Sequence, residues 1–190
     1  MKRLVIGISG ASGVIYGIRM LEVLRGKIET HLIMTENAKR TLSFETDIPV
    51  KTVESLASFV HLDSDLASPL SSGSFITQGM IIIPCSIKTL SAVANSYSQT
   101  LIARAADVNL KERRRVVLVV RETPLHLGHL RLMAQVTEMG GVIVPPVPAF
   151  YYKPKNITEI VDYTLGKILD LFEIQHGLFQ RWREDDSDAS

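Results

Sequence analysis

A single cysteine, Cys85, among 190 residues excludes an intrachain disulfide and suits a reducing compartment, so a cytoplasmic location is expected. Excess charge of one sign is missing as well: 21 Lys and Arg face 20 Asp and Glu, mixed along the chain, for a net charge of +1. Without a long-range field to hold a polyanion, nucleic-acid and membrane-surface binding lose their electrostatic support. No apolar run approaches the roughly 18 residues of a membrane span. Met1-Lys2-Arg3 before Leu4-Val5-Ile6-Gly7-Ile8 has the order of a signal peptide's basic and apolar regions. Glycines and serines interrupt that stretch at once, and it reads as a strand feeding a tight turn. Internal repeats, low-complexity blocks and interdomain linkers are also missing. What is there is 46% hydrophobic and 22% charged, fitting one globular domain able to bury roughly 70% of its unfolded surface.

Apolar runs of strand length alternate with segments of helical period, the pattern of a parallel sheet covered by helices on both faces. Strands are predicted over residues 3–9, 30–34, 80–83, 116–120 and 142–144, the third stopping at Pro84 and the fifth at Pro145-Pro146. Helices are predicted over residues 14–24, 36–44, 87–95, 100–114, 127–139 and 157–172, with Gly140-Gly141 a natural stop for the fifth. The least regular stretch, residues 48–79, holds a short helix near 53–59 and the small residues Ser71-Ser72-Gly73-Ser74. From Gly177 the chain is polar, giving one domain over residues 1–176 and a frayed tail over 177–190. Right-handed crossovers would wind these elements into a three-layer open parallel α/β sheet of Rossmann or flavodoxin type. Ligands of such sheets bind beyond the carboxyl ends of the strands, which directs attention to residues 10–13, 35–36, 84–86, 121–122 and 145–152.

The first of these loops, Ser9-Gly10-Ala11-Ser12-Gly13, joins a buried strand to a helix, so its bare amides and the helix N-terminus suit an anion such as phosphate. It has neither the Gly-Lys-Ser/Thr ending of a P-loop nor the dinucleotide glycine spacing, and a tight structural turn is the equal alternative. Pro84-Cys85-Ser86-Ile87-Lys88-Thr89 repeats the arrangement at a second strand end, and two such loops on one edge favour a phosphorylated ligand. Ser86 is also a natural helix N-cap. Cys85 has no histidine near it in sequence and reads as a small buried residue. Arg121-Glu122 follows a wholly apolar run, either as a structural ion pair or as a working pair of phosphate-binding guanidinium and acid–base carboxylate. Glu45 alone reads as a solvated helix end. His126 and His129 lack an acidic or thiol companion, so no metal site is expected. Lys111-Glu112-Arg113-Arg114-Arg115 reads as a helix end whose cations oppose the macrodipole.

Several segments taken in order carry a resemblance: Ile8-Ser9-Gly10-Ala11-Ser12-Gly13 with Tyr16-Gly17, Glu45-Thr46-Asp47, Ser72-Gly73-Ser74, Pro84-Cys85-Ser86 and Arg104-Ala105-Ala106-Asp107-Val108. Leu110-Lys111-Glu112-Arg113-Arg114, Arg121-Glu122-Thr123-Pro124-Leu125 and residues 145–151 complete the set. Together they closely resemble the flavin prenyltransferases of the UbiX family, in the homo-oligomeric flavoprotein decarboxylase superfamily. The resemblance implies a metal-independent transfer of a dimethylallyl group from dimethylallyl monophosphate to reduced FMN, first to the central-ring nitrogen and then to the adjacent benzenoid carbon. It further implies a homo-oligomer, a dodecamer with active sites where protomers meet, whose prenylated FMN passes to a UbiD-type decarboxylase in ubiquinone biosynthesis.

Carried over residue by residue, the resemblance implies that Gly10, Ala11, Ser12, Thr35, Ser86, Ile87, Lys88, Thr89 and Arg121 contact FMN. Ser72, Arg104, Lys111, Tyr151 and Lys167 match positions around the prenyl phosphate, and Trp182 matches a tail aromatic that closes over the prenyl group. Glu45, Glu122 and Ser12 match the polar cluster at the reacting flavin edge. Two positions depart from the pattern. Thr35 stands where serine is usual and keeps the hydroxyl; Lys167 stands where arginine is usual, a point charge in place of a bidentate fork. Two competing readings are an FMN-dependent cysteine-conjugate decarboxylase and a non-catalytic FMN carrier. The first normally carries a Pro-x-Met-Asn loop, where residues 145–151 here read Pro-Pro-Val-Pro-Ala-Phe-Tyr. The second has no need of Glu45, Lys111 and Lys167.

Overall fold

The apolar runs form β1 (Arg3–Ile8), β2 (Glu29–Met34), β4 (Gly79–Cys85), β5 (Arg115–Val120) and β6 (Val142–Ile143), with β3 (Phe59–Leu62) added at one edge. The computed structural model describes residues 2–179. Its strands are all parallel, in the order β3-β2-β1-β4-β5-β6, so the chain leaves β1 toward one edge and returns to build toward the other. Val5, Ile33, Met80, Ile82 and Leu118 pack in one cluster with residues of α4 (Ile87–Ala94), α5 (Leu101–Lys111) and α6 (Leu127–Glu138). Successive strand residues point to opposite faces. Gly7 of β1 accordingly meets Ile102 of α5, whereas Ile8 reaches Gly17 of α1 (Val14–Leu24). Burial from two sides explains why these strands read as continuous apolar runs. Each fully buried aliphatic side chain contributes about 1.5–3 kcal/mol over exposure.

These elements belong to a compact unit spanning Met1–Pro146; a second unit spans Val147–Ser190. In the second, α7 (Ile157–Leu171) starts at Asn156, whose side-chain oxygen accepts from the Glu159 amide at 2.9 Å. Tyr152 stacks on Tyr163 with ring centroids 4.6 Å apart. Among the described residues no helix is long and apolar enough to cross a membrane.

Three differences from the sequence-based expectation have physical causes. The strand predicted to stop at Pro84 continues through it to Cys85, with the Ile83–Pro84 peptide cis and a break in pairing register after Ile82. The helix predicted over residues 100–114 ends at Lys111, because Arg113 turns left-handed (φ 57°) and the Arg114 amide closes onto Asn109 O at 2.8 Å. The short helix expected near residues 53–59 lies earlier, as α3 (Val50–Glu54), and Phe59 opens the unpredicted β3. With four residues, three of them exposed, β3 carries none of the two-sided apolar signal of the inner strands.

Besides its ladder with β2 and the stack of Phe59 on His31, a polar lock holds β3. Thr30 and Ser58 exchange amide-to-hydroxyl hydrogen bonds, both 3.1 Å, at its start. His61 then joins Ser68 Oγ (2.9 Å) to His31 (3.0 Å), and the nearly buried His31 reaches Glu29 at 3.0 Å. One proton assignment satisfies every link: Ser68 donates to His61 Nδ1, His61 Nε2–H to His31 Nδ1, and His31 Nε2–H to Glu29. The bonds from His31 and from Arg3 hold the Glu29 carboxyl below its usual pKa. Burial, seconded by His31, holds His61 below its ordinary value, with Asp65 opposing in smaller measure. The unfolded chain therefore takes up this proton first, below about pH 6.5. The stabilisation is complete above that pH and is lost as pH falls toward the lower folded-state value. The urea midpoint should drop between about pH 7.5 and about pH 5.5, above the range in which carboxylates titrate, and His61→Gln should flatten that slope. An equal slope in wild type and variant would remove the histidine lock as the cause.

Candidate active site

The strand order reverses between β1 and β4, and their carboxyl ends are fastened there by one buried hydroxyl. Ser9 donates to Pro84 O from its amide (3.1 Å) and its side chain (3.0 Å), while its Oγ accepts from the Ser86 amide at 2.8 Å. Ser86 in turn caps α4, accepting from the Thr89 amide at 3.3 Å and donating to Thr89 Oγ1 at 3.2 Å. Thr35 caps α2 (Glu36–Glu45) in the same manner, accepting from the Ala38 amide at 3.1 Å. A cleft of about 410 Å³ opens between these loops, lined by Gly10, Thr35, Ser86, Lys88 and Thr89. That size is ordinary for a small-molecule site. Its walls offer hydroxyls, an ammonium and the N-termini of two helices, a set suited to phosphate. Gly10 is required for closeness: a Cβ there would stand 2.4 Å from that of Asn37 in the first turn of α2.

The other residues expected at this edge lie beside the cleft. The Ala11 amide turns back onto Ser9 O (2.8 Å), and the Arg121 amide donates to Cys85 O (3.0 Å), leaving the Arg121 side chain exposed. The N-terminus of α1 is not bare. The Glu45 carboxylate accepts from the Gly13 amide at 3.0 Å and from the Val14 amide at 3.0 Å, an acid at the positive end of the helix dipole. Those two amides are therefore filled from within, and the helix starts that face the cleft belong to α2 and α4. Glu45 thereby adjoins Ser12, which precedes Gly13. Glu122 turns back to accept from the Thr123 amide at 3.0 Å and is exposed.

Two bland readings gain support. Cys85 is fully buried, and burial pushes its thiol far up, away from thiolate chemistry. His126 Nδ1 accepts from the amides of Gly128 (2.9 Å) and His129 (3.4 Å), so it caps α6. Among the described residues no group of three or more His, Cys, Asp or Glu could hold a metal.

Of the expected prenyl-phosphate residues, Ser72, Arg104 and Lys111 belong to the same unit as the cleft and do not line it. Ile102 lines the cleft near the start of α5 and Lys111 closes that helix. Its 11 residues rise about 16 Å. Lys111 leads into β5, and Ser72-Gly73-Ser74 leads into β4, where the first residues Gly79 and Arg115 pair. Ser72 and Lys111 thus stand together at the amino edge of the sheet, opposite the cleft. Arg104 binds the Ser71 carbonyl (3.2 Å) and Asp107 (2.9 Å), and the Lys111 ammonium is bonded to Glu112. In the second unit, Tyr151 bonds Tyr163 hydroxyl to hydroxyl and Lys167 is exposed on α7. Trp182 lies outside the described residues.

Sequence reasoning put Ser9 in the first loop without its fastening role, and missed Asn37 and Asp63 as parts of the site. Ser9 left one signal, a polar residue closing an otherwise apolar strand. Asp63 left none, since it caps α5 from 39 positions upstream, accepting from the Ile102 amide at 2.9 Å.

The family model described as Flavoprotein matches residues 1–183. Flavin prenyltransferase UbiX of Escherichia coli (strain K12) is 57% identical over 187 residues, covering 96% of this chain and 99% of the relative. The crystal structure of AnUbiX (PadA1) in complex with FMN and dimethylallyl pyrophosphate superposes with a TM-score of 0.94 at 50% identity, over 96% of this chain and 97% of that one. The dodecameric FMN-dependent Ubix-like decarboxylase from Escherichia coli O157:H7 gives a TM-score of 0.93 at 44% identity, over 95% and 99%.

Ser9→Ala should cost about 1–3 kcal/mol, because Pro84 O and the half-buried Ser86 amide each lose the Ser9 hydroxyl as partner. Urea unfolding measures that loss, and a titration with FMN should show weaker binding as the two loops part. Wild-type stability together with wild-type affinity would show that the hydroxyl does not hold the cleft.

Proposed function

This chain belongs to the UbiX flavin prenyltransferases, and we propose that it transfers a dimethylallyl group from dimethylallyl monophosphate to reduced FMN without a metal ion. The observation that carries the reading is the cleft at the switch point, with hydroxyls, Lys88 and two helix N-termini around one space. These residues fit FMN. Thr35, Ser86, Thr89 and Lys88 suit a phosphate monoester, and Gly10 keeps the loop thin enough for a flat ring system to lie near it. Ala11, Ser12, Ile87 and Arg121 complete the flavin contacts in this proposal.

Bound reduced, the flavin supplies the nucleophilic nitrogen and carbon that form the two new bonds. The chain's own residues do the rest. An allylic phosphate ionises poorly unless its departing charge is neutralised, so Lys111, Lys167 and Arg104 supply positive charge, and Ser72 and Tyr151 supply hydroxyls. Trp182 offers the apolar, water-excluding surface that an allylic cation needs. Glu45, held beside Ser12, accepts through that hydroxyl the proton released on ring closure, and Glu122 is a second carboxylate at the same edge. Since Ser72 and Lys111 stand a helix length from the cleft of their own protomer, the complete site takes them from a neighbouring copy. We therefore propose a homo-oligomer, a dodecamer, working in the cytoplasm, with its prenylated FMN delivered to a UbiD-type decarboxylase for ubiquinone biosynthesis.

Anaerobic incubation of the protein with reduced FMN, dimethylallyl monophosphate and a chelator should add one prenyl unit to the flavin by mass spectrometry. Unchanged flavin, or release of carbon dioxide from a cysteine conjugate, would overturn the reading. Glu45→Gln should keep FMN and stall before ring closure. Co-expressed Glu45→Gln and Lys111→Ala chains, each inactive alone, should regain activity in mixed oligomers; no recovery would place cleft and phosphate residues in the same subunit.

A further inference from the structure

We propose that Arg114 is a positioning residue for an alkyl monophosphate, acting through the hydroxyl of Ser72; this rests on the reading that Ser72 and Lys111 hold the prenyl phosphate. The segment from Ser72 to Phe75 belongs to neither strand nor helix, and nothing in its own backbone beyond one 3.2 Å turn bond, from the Phe75 amide to Ser72 O, fixes its shape. Arg114 spans it. One arm of the half-buried guanidinium donates to Phe75 O at 2.8 Å and the other to Gly73 O at 2.6 Å. The left-handed Arg113 and the amide bond from Arg114 to Asn109 bring the side chain back beneath the turn.

The grip reaches Ser72 through one peptide plane. In a trans peptide the carbonyl and the N–H point opposite ways, so drawing Gly73 O toward Arg114 turns the Ser74 N–H outward. That N–H donates to Ser72 Oγ at 3.3 Å. That bond orients Ser72 Oγ, which shares a 2.8 Å hydrogen bond with Ser74 Oγ in which either hydroxyl can donate, and in the working site its proton goes to a phosphate oxygen. The loop is also pressed against the ammonium it works with. A Cβ on Gly73 would stand 2.2 Å from Glu112 Oε1 and 3.0 Å from Lys111 Nζ. The ends of the segment have their own fasteners, Arg104 on Ser71 O (3.2 Å) and Thr77 on the buried Asn109 (2.8 Å), and Arg114 alone of these bonds the middle. A lysine would place one charge where two carbonyls need a fork.

The test uses the full-length, FMN-loaded oligomer and isopentyl monophosphate, a saturated and unreactive analogue, in calorimetric titration. Arg114→Ala should raise the Kd of the analogue, and the KM for dimethylallyl monophosphate, by about tenfold. Arg114→Lys should raise both severalfold, with FMN affinity and oligomer mass unchanged. In a double-mutant cycle, Arg114→Ala should add little to Ser72→Ala, because one acts through the other. Wild-type analogue binding in Arg114→Lys, additive effects with Ser72→Ala, or parallel loss of FMN binding would each overturn the assignment. Should Arg114→Ala fail to fold, Arg114→Lys decides. If the unaltered enzyme neither binds the analogue nor prenylates FMN, the functional reading fails first and this inference with it.

Discussion

One buried hydroxyl sets the geometry on which the carboxyl edge depends. The β1–β4 register ends at Gly7 and Ile82, short of both carboxyl ends, and Ser9 carries the contact on by binding Pro84 and Ser86 together. Because Ser86 starts α4 and the residues after Ser9 lead into α1, the spacing of two helix N-termini follows from this one contact. The caps made by Ser86 and Thr35 are local, each on the turn it closes. The Ser9 contact extends to the carboxyl edge the β1–β4 ladder that joins the two halves of the sheet.

A wholly parallel sheet also has a polarity that antiparallel sheets lack. Every loop after a strand falls on one edge and every loop before a strand on the other. The amide- and hydroxyl-rich turns after β1, β2 and β4 accumulate on the first edge, while Ser72 and Lys111, which precede β4 and β5, belong to the second. An 11-residue helix separates the two groups, a distance no side chain covers. The placement of Ser72 and Lys111 on the edge away from the cleft is thus a property of strand direction.

The parts legible in the sequence were those whose cause is local. The inner strands announce themselves by apolar residues on both faces, Ser86 and Thr35 by their position one residue before a helix, and the end of α6 by Gly140 at φ 93°. What stayed hidden depends on partners distant along the chain. Glu45 looks like a solvated helix end until its carboxylate is found on amides 31 and 32 residues earlier. Strand β3 has exposed apolar residues and is retained by His31 and Ser58, so its hydropathy pattern carries no strand signal. The residue types at Ser72 and Lys111 were plain, but which edge they occupy follows only from the strand each precedes.

The seat of Glu45 bears on how any substitution there is interpreted. Its carboxylate is both a group near Ser12 and the first-turn acceptor for α1, so truncation removes the proposed proton acceptor and uncaps a helix in one stroke. Kinetic losses at this position therefore mix chemistry with a structural debt, and only an isosteric amide, which still offers a carbonyl oxygen to Gly13 or Val14, keeps the two apart.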